Sequence, residues 1–319
     1  MSVLALKGMP RTVARLHRTA LIFTLLCLLA LAGATVWLYS IGDEARLGER
    51  GCASPPTDGL PSCERVWDNW ASGIYSPYLA LATTAVSYLV FPVAAWAGAA
   101  LIGRELENGT ARLTWTQSIT PTRWLTAKLA LPALVLTACV TTAVLLLAWA
   151  RRDGDPNHTG DWYMADHFIV RGPVAVALVL AGLALGALAG VLTRRTLPAL
   201  GLGFGLALVL YNVLERYRES LWPTATRITA SQAPLPRDAW PIGSGIILSD
   251  GTRRSGYFND CTGIPVDMAP CAPSGARFLD EYHPASHLLP LHLVETGILL
   301  AVTAAATTAA FVLIRRRTA

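Results

Sequence analysis

The chain has 319 residues, of which 53% are apolar and only 15% charged, with a formal net charge of +5. Soluble domains carry about 25% charged residues, and a mean hydropathy of +0.43 excludes a pair of water-soluble domains. The composition is that of an all-α polytopic membrane protein, one six-helix domain over residues 1–319, whose basic excess suits contact with anionic lipid rather than with nucleic acid.

In chain order, Met1–Arg18 is a short basic lead-in. Pro10 suits the first turn of a helix, with Arg11, Arg15 and Arg18 on one face and Met9, Val13 and Leu16 on another. A helix lying on the inner leaflet and a basic flank that only sets topology both explain this pattern. The first span is expected at 20–39. Ala32-Gly33-Ala34 resembles a signal-peptidase site, but the apolar run continues through Val36-Trp37-Leu38-Tyr39, so an uncleaved span is expected. Five more apolar runs follow at 79–102, 129–149, 173–192, 197–213 and 293–314. About 20 helical residues cross a hydrocarbon core of about 30 Å.

The loop 40–78 carries Trp67 and Trp70 where the chain re-enters the membrane, as interface anchors do. Phe91-Pro92 should bend the second span. Thr83, Thr84, Ser87 and Tyr88 in its outer half are candidates to line a translocation path. The loop 150–172 is short and acidic, and its sequon Asn157-His158-Thr159 carries little weight. In the fourth span Gly182, Gly186 and Gly190 form two overlapping G-x-x-x-G units for close helix packing, within the chain rather than in a dimer. Thr193–Thr196, with Pro198 just after, makes a tight hairpin to the fifth span. Residues 214–291 form a small lobe. Within it, strands near 243–249 and 252–258 are joined by Asp250-Gly251, a two-residue hairpin signal. Glu295, just inside the sixth span, is a second candidate for the path, because an acid at membrane depth is costly and often functional.

Orientation follows from lysine and arginine in short loops. With both termini in the cytoplasm, the inner segments hold thirteen Lys/Arg and two acids, Glu105 and Glu107. The two shorter outer loops hold six Lys/Arg and ten acids. Arg151 and Arg152, at the outer end of the third span, run against this asymmetry. The expected location is the plasma membrane, with the lobe extracytoplasmic. Cys27 and Cys139 lie inside spans, whereas Cys52, Cys63, Cys261 and Cys271 all fall on the exported side, where disulfides persist. Three pairings are possible, of which Cys52–Cys63 with Cys261–Cys271 is the simplest.

Chemistry-bearing motifs are sparse. Neither lysine, Lys7 or Lys128, sits in a phosphate-binding G-x-x-x-x-G-K-[ST] loop, so ATP hydrolysis by this chain alone is not expected. Neither a G-x-S-x-G elbow nor an H-E-x-x-H helix occurs. His283 and His287, four apart with Asp280, Glu281 and His292 nearby, have the spacing of two metal ligands on a helix, but ordinary polar residues at a membrane interface explain them better, and no metal is expected.

The segment GRELENGTARLTWTQSITPTRWLTAK, residues 103–128, is too long and too patterned for a plain turn. Asn108-Gly109 reads as a helix stop. Thr110 reads as the cap of a new helix over 111–118. Thr120-Pro121 reads as the start of the third span, and Trp124 and Lys128 as inner-interface anchors. The pattern Arg104-Glu105-x-Glu107-x-Gly109-Thr110-x-x-Leu113, followed by Thr120-Pro121-x-Arg123-Trp124 and Lys128, resembles the segment between the second and third spans of type-2 permeases of ATP-binding-cassette transporters. LTWTQSITPTRWLTAKL, the hairpin-bearing segment and the terminal YHPASHLLPLHLVETGILLAV are similar to a group of such permeases found in actinobacteria.

The resemblance covers nearly the whole chain. It implies that Glu105, Glu107, Gly109, Thr110, Arg112, Leu113 and Trp115 form the coupling element that docks onto a cytoplasmic ATPase subunit. It also implies a second permease chain, the same or homologous, export of a small molecule or lipid by alternating access, and ATP and Mg held by the partner and not by this chain. The short lead-in departs from relatives with a longer amphipathic connecting helix. Two other readings fit the residues: a membrane sensor or scaffold whose outer lobe binds a ligand, and an exported-face metal-dependent enzyme centred on His283 and His287.

Overall fold

A computed structural model describes residues 18–47, 51–57, 59–116, 119–151, 159–259 and 270–316. The basic face of the lead-in up to residue 17, Arg152, the asparagine of the sequon and Cys261 lie outside the described residues.

Among the described residues, six helices are long and apolar enough to cross a membrane: Leu25–Ala45, Cys63–Glu107, Pro121–Arg151, Val174–Thr193, Thr196–Ser220 and Ala285–Arg316. Most extend beyond the apolar runs because polar residues close their ends. The continuous helix of the second span starts at Trp70, where Asn69 Oδ1 accepts from the backbone N–H groups of Ala71 at 3.0 Å and Ser72 at 3.2 Å. The same side chain donates through Nδ2 to the Glu44 carbonyl at 2.6 Å, so one asparagine caps the second span and satisfies the end of the first. Between these helices Cys52 and Cys63 are disulfide-bonded. Cys271 is also disulfide-bonded, and Cys27 and Cys139 are free.

The chain divides into two compact units, residues 1–213 with 296–319, and residues 214–295. In the first unit the fourth span is the core, with 78% of its most apolar window buried. A Cβ placed on Gly186 would lie 2.1 Å from the Ala94 carbonyl oxygen, one on Gly190 2.9 Å from that of Ala99, and one on Gly182 2.8 Å from Val90 Cγ2. From the other side, a Cβ on Gly98 would lie 2.6 Å from the Leu183 carbonyl. The glycine strip therefore faces the second span of the same chain, backbone against backbone. Pro92 lacks the N–H for a regular helical bond, and the eight residues after it, Val93–Ala100, wind as a π-helix. This stretch is the one that meets the strip. Gly203 of the fifth span joins it, its Cβ position 3.0 Å from the Ala94 carbonyl.

The second unit carries four antiparallel strands, β1 Ala225–Thr229, β2 Trp240–Ile247, β3 Arg253–Ser255 and β4 Arg277–His283, in the order β1-β4-β2-β3. The expected hairpin is β2–β3, in which β2 begins earlier than expected, at Trp240, and β3 is shorter than expected, Arg253–Ser255. Gly251 takes φ +86° at its tip, and Asp250 accepts from the Thr252 backbone N–H at 2.8 Å, which holds its carboxyl below the usual range. β1 and β4 escaped the sequence pattern because charged residues interrupt their alternation. Ile246, Ala276 and Phe278 form the small core.

The packing predicts unequal costs along the glycines. Gly186→Val should sharply reduce folded membrane abundance, since overpacking typically costs about 1–3 kcal/mol and here the obstacle is backbone. Gly201→Ala, with nothing within 4 Å of the new Cβ, should be neutral or stabilise by about 0.5–1 kcal/mol. Thermal unfolding of the purified variants checks both.

Candidate functional site

Residues 103–128 form a crossover between the second and third spans. The helix ends at Glu107, where Asn108 N–H donates to the Arg104 carbonyl at 3.0 Å, and Gly109 reverses the chain with φ +72°. That left-handed conformation is costly for a side chain with a Cβ. The crossover helix then spans Thr110–Thr116, about 10 Å long by the rise per residue. Its start differs from the sequence expectation. Thr110 is the first helical residue, and its hydroxyl donates backwards to the Glu105 carbonyl at 3.2 Å, closing the previous helix rather than capping the new one. The new helix is entered through the Gly109 carbonyl, which accepts from Arg112 at 3.0 Å and Leu113 at 3.3 Å. The third span starts as the residues indicate. Pro121 opens it, and Thr120 Oγ1 accepts from the Arg123 N–H at 3.4 Å.

Two acids tie this element down on opposite sides. Glu105 accepts from Trp124 Nε1 at 3.0 Å through one oxygen and is ion-paired with Lys128 through the other, both donors on the third span. Glu107 accepts from the Thr196 backbone N–H at 2.9 Å and its hydroxyl at 2.5 Å. It thereby caps the fifth span from another segment, a favourable place for a negative charge. A Cβ on Gly103 would lie 3.1 Å from the Arg195 carbonyl, so the second span presses on the same turn. Both acids, which the resemblance assigns to the docking element, are thus engaged within the chain.

The crossover helix has two faces. Beneath, Ala111 is buried in a cluster with Ile102, Trp124, Leu125, Ala187, Val191, Ala310 and Ile314. Trp115 packs edge-on to Trp124 with ring centroids 5.9 Å apart, making it an internal anchor rather than a surface one. Outside, Leu113 is 64% exposed, and Arg104, Asn108, Arg112 and Arg123 of the same segment are exposed as well.

The second-span candidates divide. Thr83 and Ser87 are buried, Thr84 is half-buried and Tyr88 is exposed. Ser87 Oγ stands 3.4 Å from the Tyr211 hydroxyl, and Tyr88 stacks on Tyr211. Thr83 accepts from Arg151 at 3.2 Å and Thr84 donates to Asp166 at 2.8 Å. The sequence marked Arg151 only as an orientation violation, and Asp166, His167 and Arg171 carried no signal beyond lying in an acidic loop.

Glu295 belongs to the other unit. There it forms a bidentate ion pair with Arg218, Nε to Oε2 at 2.9 Å and the second nitrogen to Oε1 at 3.1 Å, both side chains buried. In the same unit His283 Nδ1 and His287 Nδ1 are 2.9 Å apart, and His283 Nε2 donates to the Glu219 carbonyl at 2.9 Å. Among the described residues, no group of three or more His, Cys, Asp or Glu is arranged to hold a metal ion.

Six membrane-length helices among the described residues define a polytopic membrane protein. The ABC-2 membrane transporter related family model matches residues 21–218, five spans and the crossover, and the chain belongs to that family. It is therefore a multi-pass permease subunit of the ATP-binding-cassette class, a transport component whose family implies an ATP-binding partner subunit. No curated protein and no solved structure matches the chain.

Two outcomes follow from this geometry. Glu105→Gln and Lys128→Met should each destabilise by about 1–3 kcal/mol, because each leaves a buried partner unsatisfied. The double variant should lose less than the sum, which a thermal double-mutant cycle measures. His167 gives a pH dependence. Burial, opposed by Asp166 but reinforced by Arg151 and Arg171, holds it below the ordinary histidine value. The unfolded chain takes up a proton near about pH 6.5 while the folded chain resists it. Stability is then complete above that pH and falls as pH drops below it. The melting temperature of the wild type should drop on acidification more steeply than that of His167→Gln.

Proposed function

We propose that this chain is the membrane subunit of an exporter, that residues 103–128 lie in the cytoplasm with both termini, and that Thr110–Thr116 is the element that docks onto the ATP-binding subunit. The observation that carries this reading is the exposed outer face of a helix whose inner face is packed and whose entry is held by Glu105 and Glu107. Leu113 is the apolar anchor for a small cleft on the partner. Arg104, Arg112 and Arg123, exposed in the same segment, supply basic groups that steer and select an acidic surface. ATP and Mg bind the partner subunit, and a second permease chain completes the pathway. ATP binding, with the substrate's differential affinity for inward and outward states, shifts the equilibrium between them. Export of a small molecule or lipid, rather than import, follows the family resemblance.

Glu105 and Glu107 have a mechanical role here, since they connect the docking helix to the third and fifth spans. A photo-crosslinker at Leu113 should capture an ATP-binding subunit in native membranes. Arg104→Glu with Arg112→Glu should lower its co-purification by roughly tenfold while membrane abundance is maintained. Gly109→Val should insert but fail to stimulate ATP hydrolysis with substrate. Normal abundance with no capture at Leu113 and full stimulation in all variants would rule out this docking element.

A further inference from the structure

At the end of the first unit opposite the crossover, the third span finishes in Arg151. Its placement is tightly specified: Tyr75 donates to the Ala150 carbonyl at 2.5 Å, and Arg151 itself is 5% exposed. One terminal nitrogen donates to Thr83 Oγ1 at 3.2 Å, while its Nε is buried with no hydrogen-bond partner. Among the described residues no carboxylate stands within ion-pair distance of it. The acid within electrostatic reach, Asp166, is committed elsewhere. One of its oxygens accepts from Thr84 at 2.8 Å and the other from the His167 N–H at 3.0 Å.

A second guanidinium compounds the problem. Arg171 is within reach to repel Arg151. It donates weakly to the Gly160 carbonyl at 3.4 Å, its Nε is buried without a hydrogen-bond partner, and Asp161 is the acid within electrostatic reach of it. His167 lies among Arg151, Asp166 and Arg171 and is 7% exposed. Gly160 packs so closely on its ring that a Cβ there would fall 2.0 Å from it, and the Gly160 backbone engages the ring.

Buried cations without bonded counter-charges are expensive, and near a membrane they mark sites that meet an anion during function. Arginine presents a planar fork of donors that matches phosphate and carboxylate oxygens. The aromatic pairs Tyr39–Trp149, stacked at 4.0 Å, and Trp37–Tyr78, edge-on at 6.0 Å, mark the same end of the helices. Such rings sit at headgroup depth.

We infer that Arg151, with Arg171 and His167, forms a recognition site for the oxyanion of a phosphate- or carboxylate-bearing amphiphile at the outer face of the membrane. The cluster is closed over in this conformation, and the entering anion satisfies the unpaired donors that destabilise it. The inference deepens the exporter reading, on which its transport consequence rests, by naming the substrate class as anionic amphiphiles. Binding itself is measurable without the ATP-binding subunit, so failure of one reading does not imply failure of the other.

The test uses the full chain in neutral-lipid nanodiscs, titrated with dodecyl phosphate, dodecanoate, inorganic phosphate and the uncharged dodecyl maltoside. Retention is followed by native mass spectrometry and thermal unfolding. The wild type should retain one dodecyl phosphate or dodecanoate and unfold at higher temperature. Arg151→Gln should bind at least tenfold more weakly and Arg171→Gln several-fold more weakly. Arg151→Lys, which keeps the charge but loses the fork, should fall between wild type and Arg151→Gln. A response confined to the amphiphiles supports the inference, and an equal response to inorganic phosphate overturns the amphiphile assignment. A wild type that neither retains nor is stabilised by either anion, equal stabilisation by dodecyl maltoside, or undiminished binding by Arg151→Gln overturns the inference. Should Arg151→Gln not fold, the wild-type titration and Arg171→Gln decide it.

Discussion

The contact on which the first unit depends is that between the backbones of the second and fourth spans. At Gly186 there is no room for a single carbon beyond Cα, because the Ala94 carbonyl oxygen occupies its place. In a lipid environment helices gain nothing by hiding apolar side chains from each other, so close packing and complementary shape must supply the association. The π-helical turn after Pro92 matters for this reason. It sets the phase of Val93–Ala100 so that Ala94, Gly98 and Ala99 meet the glycine strip, and Gly203 brings in the fifth span at the same level. The second, fourth and fifth spans thereby form one close-packed block.

The crossover inherits its rigidity from that block. The second span runs without interruption from the π-helical turn to Glu107, and Glu107 is bound to the first residue of the fifth span. Glu105 extends the connection to the third span through Lys128 and Trp124. The end of the second span beside the short helix is thereby linked to the third and fifth spans.

The spans were legible because their length and composition are dictated by the bilayer, and Gly109 and the Thr120-Pro121 start were legible because their conformations have few chemical solutions. The long-range partners were not. Nothing local to Glu107 indicates that its acceptor oxygen serves Thr196, and nothing near Glu295 names Arg218, because these pairings depend on how distant segments meet. Glu105 and Glu107 therefore read as residues of a docking element, although the fold engages both within the chain. Thr110 reads as a forward cap by residue type, yet its hydroxyl turns back to the Glu105 carbonyl once Gly109 sets the angle. Arg151 shows the converse case. A violation of the orientation rule was visible in the sequence, but its meaning emerged only with burial and the prior commitments of Asp166.

The central claim is that the crossover and the fifth span move as one body. Leu113 and Leu197 are both exposed, at 64% and 78%, and spin labels at these positions report the distance across the Glu107–Thr196 connection. Pulsed dipolar measurements on the complex with its ATP-binding subunit, nucleotide-free and ATP-trapped, should give one narrow distribution that does not shift between the two states. A distribution that splits or moves on ATP binding would contradict the account, because the crossover would then swing independently of the span it is supposed to drive.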